Sequence, residues 1–268
     1  LFGYVVGPQS WKKFLFPSSL KLLSAKKNGN GFDFSTSLDA TNESQITKRE
    51  SRTTKFAFLG MRSCELHAIA IQDKIFLNGQ CIEPHYKQLR ENALFIAVNC
   101  GQAATTCFCD SMKTGPKADK YFDIALTEIC NEKEHYFIIE TGSEKGKALL
   151  KELPLQSAEK KHDDLVIQIT DNAKKQMKRV LDTANIKQVL YEQFDHPHWD
   201  EIATRCLNCA NCTMVCPTCF CTTVEDVTDL TGDNAERWRK WDSCFTMDYS
   251  YIHGGSLRAS GKSRYRQW

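Results

Sequence analysis

The sequence lacks a long hydrophobic run and a strong excess of charge of either sign. No uninterrupted apolar stretch approaches the roughly 20 residues that a membrane-spanning helix needs. The 35 lysines and arginines nearly balance the 33 aspartates and glutamates, so the formal net charge is +2. A balanced charge gives no reason to expect nucleic acid or a membrane surface as the main partner.

An export signal is also missing from the beginning of the sequence. The chain starts at Leu1 rather than Met, and its first residues have neither the basic region nor the cleavage pattern of a signal peptide. We therefore expect a cytoplasmic protein without a membrane span, and a chain that is cut at its start.

Motifs of the common catalytic and nucleotide-binding sites are absent as well. The seven histidines are scattered without an H-x3-H spacing. Residues 141–146 match neither G-x-G-x-x-G nor the Walker pattern, and no Ser/His/Asp grouping stands out. We expect no catalytic residue and no nucleotide site in this chain.

The apolar pattern predicts alternating strands and helices in the first part of the chain. Short apolar runs at residues 56–59 and 94–98 predict buried strands, with a helical pattern over residues 65–77 between them. Later segments are mostly helical in pattern. We therefore predict an α+β or α/β domain over residues 1–165, and a mostly helical domain with metal loops over residues 166–268.

Cysteine, by contrast, is abundant, with 13 residues in the chain. Secreted disulfide proteins also have many cysteines, but they are usually short and pair an even number. Here many of the cysteines are separated by only one, two or three intervening residues, a spacing at which disulfide geometry is rarely met. The cysteines therefore indicate metal binding.

The most specific motif is Cys206-x2-Cys209-x2-Cys212-x3-Cys216-Pro217. Two-residue gaps let a looping backbone turn successive sulfurs toward one centre, and the proline stops regular structure from continuing. This is the run of bacterial ferredoxins, in which the fourth cysteine usually ligates a different cluster. A zinc ribbon would more often show two C-x2-C pairs separated by a longer stretch.

The ferredoxin rule leaves Cys216 in need of three further ligands. Two possibilities remain open. Either Cys219, Cys221 and Cys244 complete the set locally, or a second ferredoxin run follows Trp268 and the chain is cut at its end too. We expect the second.

A second cysteine group precedes the ferredoxin run and comprises Cys64, Cys100, Cys107 and Cys109. Cys64 and Cys100 each follow a predicted strand, and α/β proteins place ligands at that edge of a sheet. Four thiolates there would suit another cubane cluster. The alternative is that these are buried free cysteines, which are common core residues.

Three other residues near these motifs receive separate expectations. Phe108, between two of the cysteines, is predicted to shield the site from water. Cys81 and Cys130 have no partners nearby in the sequence and are predicted to be ordinary small apolar residues.

These motifs resemble one family over roughly residues 56–268, whereas the first fifty or so residues match it only loosely. The family is that of 4Fe-4S dicluster subunits, which includes the beta subunit of sulfhydrogenase and one of the subunits of anaerobic sulfite reductase. The resemblance is carried by residues 60–69, 72–76, 97–101, 106–116, 205–221, 241–245 and 253–256.

The resemblance implies a non-catalytic electron-transfer subunit of a multi-subunit oxidoreductase. Such subunits pass electrons between a flavin subunit that handles NAD(P)H and a hydrogenase or sulfite-reducing partner. It also implies two to three 4Fe-4S clusters in the complete protein. The rival hypothesis is a zinc-stabilised interaction module, in which the same thiolates hold a metal without a redox role.

Overall fold

The computed structural model describes residues 1–3, 7, 10–36 and 55–268. The strands are β1 (Ser19–Asn28), β2 (Gly31–Thr36), β3 (Phe56–Met61), β4 (Ala93–Val98), β5 (Ile124–Cys130), β6 (His135–Thr141), β7 (Thr222–Thr228), β8 (Asn234–Trp241), β9 (Tyr251–Ile252) and β10 (Gly255–Ser256). The helices are α1 (Lys12–Leu15), α2 (Ser63–Phe76), α3 (Pro84–Glu91), α4 (Glu144–Leu150), α5 (Lys160–Gln176), α6 (Ile186–Glu192), α7 (His198–Arg205), α8 (Asn211–Val215) and α9 (Gly261–Gln267).

One four-stranded sheet has the order β3-β4-β5-β6. β3 pairs with β4 and β4 with β5 in parallel, whereas β6 returns antiparallel to β5. β4 reads Ala-Leu-Phe-Ile-Ala-Val and is largely buried, as continuous apolar strands inside parallel sheets are. The two strands predicted at residues 56–59 and 94–98 are thus confirmed as β3 and β4.

Helices supply the apolar side chains that accompany this sheet. Leu66 and Ile69 of α2 are fully buried, three residues apart and therefore on one helix face. In α5, Val166 packs with Ile129 and Ile138 of the hairpin β5–β6. The amphipathic pattern of α5 therefore attaches this helix to the first sheet.

A second four-stranded sheet has the order β2-β1-β8-β7, all antiparallel. Ser19 of β1 lies opposite Lys240 of β8, and Thr222 of β7 lies opposite Trp241. The apolar pattern predicts no strand in residues 222–241. The segment is rich in charged side chains, and cross-strand neighbours such as Asp226 and Arg237 form an ion pair at 2.7 Å.

The described residues divide into two compact units. The first contains the described residues of 1–11 and 55–186, and the second those of 12–36 and 187–268. The predicted boundary after residue 165 differs from this division, since α5 runs through that position without a break. β1 and β8 are far apart in the sequence but pair in one sheet. The second unit therefore contains residues from both parts of the chain.

None of the helices within the described ranges has the length and apolar character that crossing a membrane would require.

Candidate metal centres

Two cysteines of the first unit, Cys64 and Cys100, lie at the carboxyl edge of the β3–β4 pair. β3 ends at Met61, and α2 begins at Ser63, so Cys64 lies in the first turn of that helix. β4 ends at Val98, two residues before Cys100. Because β3 and β4 are parallel neighbours, their carboxyl ends meet at one edge. The sequence alone predicted this position, since each cysteine follows a predicted strand.

Arg62 ties the two strand ends together. Its side chain is buried, and its Nη1 donates to the carbonyl oxygens of Val98 and Asn99 at 3.3 Å each. Nη2 donates to the carbonyl oxygen of Phe2 at 2.6 Å. Burial raises the pKa of Cys100, whereas the guanidinium of Arg62, which hydrogen-bonds this thiol, opposes that shift. A fixed positive charge thus stands beside the cysteines.

Four thiols of this unit are close enough to influence one another's ionisation. Cys64 is an exposed residue, yet burial of its thiol among neighbouring atoms is the main cause that raises its pKa to about 12. Glu65 and the thiols of Cys109, Cys100 and Cys107 raise that pKa further. Burial, followed by the neighbouring thiols of Cys100 and Cys107, raises the pKa of Cys109 to about 11. These four cysteines are called the N-terminal thiol group.

The loop between β4 and β5 positions the last two thiols of this group. The backbone N–H of Ala104 donates to Cys107 Sγ at 3.3 Å, and the Cys109 thiol donates to Met177 Sδ at 3.9 Å. Gly115 has a φ of +154°, and a Cβ there would lie 3.3 Å from Cys109 Sγ. Only glycine satisfies both the backbone conformation and the close approach to the sulfur.

In the second unit, the ferredoxin run begins in the turn between α7 and α8 and extends through α8 to Cys216. Cys206 ends α7, and its Sγ accepts the backbone N–H of Asn208 at 3.4 Å. Asn208 and Ala210 have positive φ values of 52° and 61°, which reverse the chain direction before α8. Burial raises the pKa of Cys212, and the thiols of Cys206 and Cys209 raise it further. These three cysteines are called the ferredoxin group.

A buried hydroxyl pair anchors this turn to the segment after β8. Thr213 Oγ1 donates to the carbonyl oxygen of Ala210 at 2.7 Å and lies 2.7 Å from Ser243 Oγ. Ser243 Oγ accepts the backbone N–H of Phe245 at 3.1 Å. Ala210, Cys244 and Phe245 form a small hydrophobic cluster around this anchor. The hydroxyls of Thr213 and Ser243 therefore help to hold the loop in addition to the contacts of the cysteines.

The fourth cysteine of the run belongs to a different set of neighbours. The Cys219 thiol donates a hydrogen bond to Cys216, and Thr218 does so as well, which lowers the pKa of Cys216 to about 5. The pKa of Cys219 is raised because its proton is shared with Cys216. The ammonium of Lys12 interacts electrostatically with Cys219, Cys216 and Cys221. We call Cys216, Cys219 and Cys221 the distal thiol group.

Cys244 lies between the ferredoxin group and the distal thiol group. Its side chain is 3% exposed, and burial raises its pKa to about 11, with further contributions from Cys221 and Cys212. The phenol of Tyr249 hydrogen-bonds the Cys221 thiol, and this contact is the main cause that raises the pKa of Tyr249 to about 12. Cys244 therefore lies near Cys212 of the ferredoxin group and Cys221 of the distal thiol group.

The donor chemistry fits an anionic iron–sulfur cluster. All 13 cysteines are free thiols, and a buried cation stands beside two of the three groups. Thiolate ligands and nearby positive charge suit a cluster that carries negative charge. In the ranges that the structure describes, no three Cys, His, Asp or Glu side chains converge as the ligands of a single metal ion do.

Several predictions about single residues can be compared with this geometry. The ranges 64–109 and 206–221 bring their predicted cysteines into the groups defined above. Phe108, predicted to shield the first site, is 42% exposed, so its shielding is limited. Cys81 and Cys130 were predicted as small apolar residues, yet both are exposed, since they lie in a loop and at a strand end.

Sequence reasoning missed the residues that support the thiols from distant parts of the chain. Lys12, Arg62 and Tyr249 contact cysteines by side-chain interactions, but no local spacing pattern marks them. Only Arg62 has a signal, because it lies two residues before Cys64 within a motif already singled out. The other two are brought to the thiols by the fold.

Comparison with known proteins identifies the class of these centres. A family model described as a 4Fe-4S dicluster domain matches residues 205–268, which contain the ferredoxin and distal thiol groups. The chain is therefore an iron–sulfur protein with a 4Fe-4S dicluster domain. Over 215 residues it is 32% identical to the sulfhydrogenase 2 subunit beta of Pyrococcus furiosus.

The extent of this similarity defines what it covers. The alignment includes 79% of this chain and 62% of the relative, so the chain spans less than two thirds of that protein's length. Residues 205–268 thus belong to the 4Fe-4S dicluster domain family, and the similarity to this relative supports the resemblance to 4Fe-4S dicluster subunits that the cysteine motifs indicated. No solved structure matches it.

Proposed function

We propose that this protein is an iron–sulfur electron-transfer subunit of a multi-subunit oxidoreductase. The observation that carries the proposal is the gathering of free thiols into separate groups, two of them within the matched 4Fe-4S dicluster segment. Bound clusters would supply one-electron redox chemistry. The protein itself would contribute ligation, burial and fixed charge, and it would need no catalytic residue.

Each thiol group has a proposed role as cluster ligands. The N-terminal thiol group would hold one 4Fe-4S cluster, and the ferredoxin group would supply three ligands to a second. Cys216 would ligate a further cluster, as the fourth cysteine of such runs does. The separate coupling of Cys216 to Cys219, rather than to the ferredoxin group, supports this division. Two to three clusters follow for the complete protein.

The proposed partners are a flavin subunit that handles NAD(P)H and a catalytic subunit of hydrogenase or sulfite-reductase type. The relative's name as the beta subunit of a sulfhydrogenase supports membership in such an assembly. We further propose a cytoplasmic location and an α+β (or α/β) fold for the first unit beside a ferredoxin-like iron–sulfur domain. The mixed sheet with its helices and the matched dicluster segment support that architecture.

The ferredoxin group provides the direct test. Anaerobically purified protein should be brown and contain iron and acid-labile sulfide in near-equal amounts. Each of the three single variants, Cys206→Ala, Cys209→Ala and Cys212→Ala, should lose the same paramagnetic signal and contain less iron. This is expected because the three thiolates would ligate one cluster. Cys81→Ala is the matched control, since this exposed thiol belongs to none of the groups.

The same measurements decide against the proposal if it is wrong. A colourless protein that retains zinc after anaerobic purification would support the interaction module instead. Full iron content and an unchanged spectrum in all three variants would show that the ferredoxin group does not ligate a cluster.

A further inference from the structure

The register of the second sheet brings three distant segments together. Because β1 pairs with β8, the residues just before β1 lie beside those just after β8. The backbone N–H of Trp241 donates to the carbonyl oxygen of Ser18 at 2.8 Å, and that of Asp242 donates to the carbonyl oxygen of Cys221 at 2.9 Å. The segment of α1 therefore lies next to the distal thiol group, although 204 residues separate Lys12 from Cys216.

Lys12 of α1 is a buried cation in this region. Its exposed fraction is 3%, whereas the neighbouring Lys13 is exposed. Lys12 Nζ donates to the carbonyl oxygen of Cys216 at 3.2 Å. The same atom lies 4.1 Å from the centre of the Trp241 ring, within the range of a cation–π interaction. The ammonium is thus held in one place by two contacts.

The surroundings of this ammonium are unusual for a buried charge. Removing a charged side chain from water is strongly unfavourable unless an opposite charge or hydrogen bonds compensate it. Burial lowers the pKa of Lys12, and the groups that oppose this effect are the thiols of the distal thiol group. When those cysteines bind as thiolates, the ammonium interacts with their negative charge. The arrangement suits an anionic occupant.

We propose that Lys12 is the counter-charge of the iron–sulfur cluster ligated through Cys216 and that it raises the reduction potential of this cluster. The inference rests on the proposed function, since it requires Cys216 to be a cluster ligand. Adding an electron to an anionic cluster is easier beside a fixed positive charge, and net charge and hydrogen bonding are established determinants of cluster potential. Lys12 acts through electrostatics and is a positioning residue, not a catalytic one.

The test is a redox titration of anaerobically purified protein followed by electron paramagnetic resonance. Lys12→Gln removes the charge, while its amide can still donate to the carbonyl oxygen of Cys216. Lys12→Arg keeps the charge, and Lys13→Gln removes one from an exposed neighbour. Cys216→Ala identifies the relevant signal. We expect a negative shift of that signal's midpoint potential in Lys12→Gln, none in Lys13→Gln, and a midpoint close to wild type in Lys12→Arg.

The possible outcomes separate this inference from the proposed function. A wild-type protein without iron and labile sulfide removes the proposed function and this inference with it. In a protein that binds clusters, equal potentials in Lys12→Gln and Lys13→Gln at equal iron content overturn the role of Lys12 alone. Loss of the cluster in Lys12→Gln but not in Lys12→Arg supports the role of charge. Equal loss in both overturns it, because side-chain shape would then be decisive.

Discussion

At the scale of single residues, Arg62 connects the strand ends that carry the first thiols. It donates to the carbonyl oxygens of Val98 and Asn99 at the end of β4 and to the thiol of Cys100 while remaining 2% exposed. A buried carbonyl that loses its donor retains the desolvation penalty without the hydrogen bond. Stability and the geometry of the thiol group therefore depend on the same side chain.

We predict that Arg62→Met lowers the free energy of unfolding by roughly 3 kcal/mol, because it leaves these buried carbonyls without their charged donor. Urea denaturation of the apoprotein measures this change. Arg205→Met is the control, since that exposed side chain pairs with Glu201 at the surface and should change stability by less than about 1 kcal/mol. Equal effects of the two substitutions would contradict the bridging role of Arg62.

Gly115 supports a second prediction at this scale. A Cβ at this position would lie 3.3 Å from both Cys109 Sγ and Ser63 Cβ, and the φ of +154° is unfavourable for other residues. Gly115→Ala should therefore displace Cys109 and lower the iron bound by the N-terminal thiol group, with little effect on the ferredoxin group. Iron content and electron paramagnetic resonance measure both effects.

Gly3→Ala provides the comparison for that experiment, because no atom lies within 4 Å of the added Cβ. It should bind iron as the wild type does. If Gly115→Ala also retains full iron and an unchanged spectrum, the proximity of Cys109 to this backbone has no bearing on cluster binding.

At the scale of elements, α5 belongs to the first unit because of one apolar face. Val166 is 2% exposed and packs with Ile129 and Ile138, whereas its neighbour Ile167 is 52% exposed. Thr170 lies one turn further along and is also buried. The helix thus covers the hairpin β5–β6 with a single face, which is why the chain does not divide within it.

From this packing we predict effects of different size for substitutions at the adjacent positions 166 and 167. Val166→Ala should lower the free energy of unfolding by about 2 kcal/mol, since it removes buried methyl groups and leaves a small cavity. Ile167→Ala removes more carbon atoms but should change stability by less than about 0.5 kcal/mol, because the side chain is already in water. Chemical denaturation compares the two variants. A larger effect for Ile167→Ala would contradict the observed packing.

At the scale of the whole molecule, the raised pKa values of Cys64 and Cys109 make the stability of the apoprotein and the proposed cluster assembly dependent on pH. Burial is the main cause that raises the pKa of Cys64 to about 12 and of Cys109 to about 11, above the ordinary value of 9.0. The folded apoprotein therefore keeps protons that the unfolded chain releases between pH 9 and about 12. Its stability falls as pH rises through that window.

If these thiols ligate a cluster as proposed, iron binding would reverse their protonation state, because the thiolate is the ligand. We predict that anaerobic reconstitution releases protons and that the extent of iron uptake at limiting iron increases between about pH 7 and 9. A pH indicator and iron analysis measure the two quantities. Cys64→Ala should release fewer protons, and Cys81→Ala should match the wild type. Iron uptake that decreases with pH would contradict this account.

The two strands before Cys64 and Cys100 were predictable because each is a short apolar run followed by its cysteine. Their parallel pairing then brings the thiols to one sheet edge, as α/β topology predicts. The strands of residues 222–241 were not predicted, because their sequence is rich in charged and polar side chains. Their partners lie across the sheet, such as Arg237 opposite Asp226 at 2.7 Å, and the local pattern does not reveal such pairing.

The sequence by itself determined the chemistry of this protein, since the spacing of cysteines within a loop decides which thiols can converge on a cluster. The tertiary structure alone decided which charges surround those thiols. Lys12 reaches Cys216 only because β1 pairs with β8, and Tyr249 reaches Cys221 only through the segment that follows β8. Ligand spacing is a local property of the chain. The electrostatic environment depends on sheet register, which brings together Lys12 and Cys216 at a sequence separation of 204.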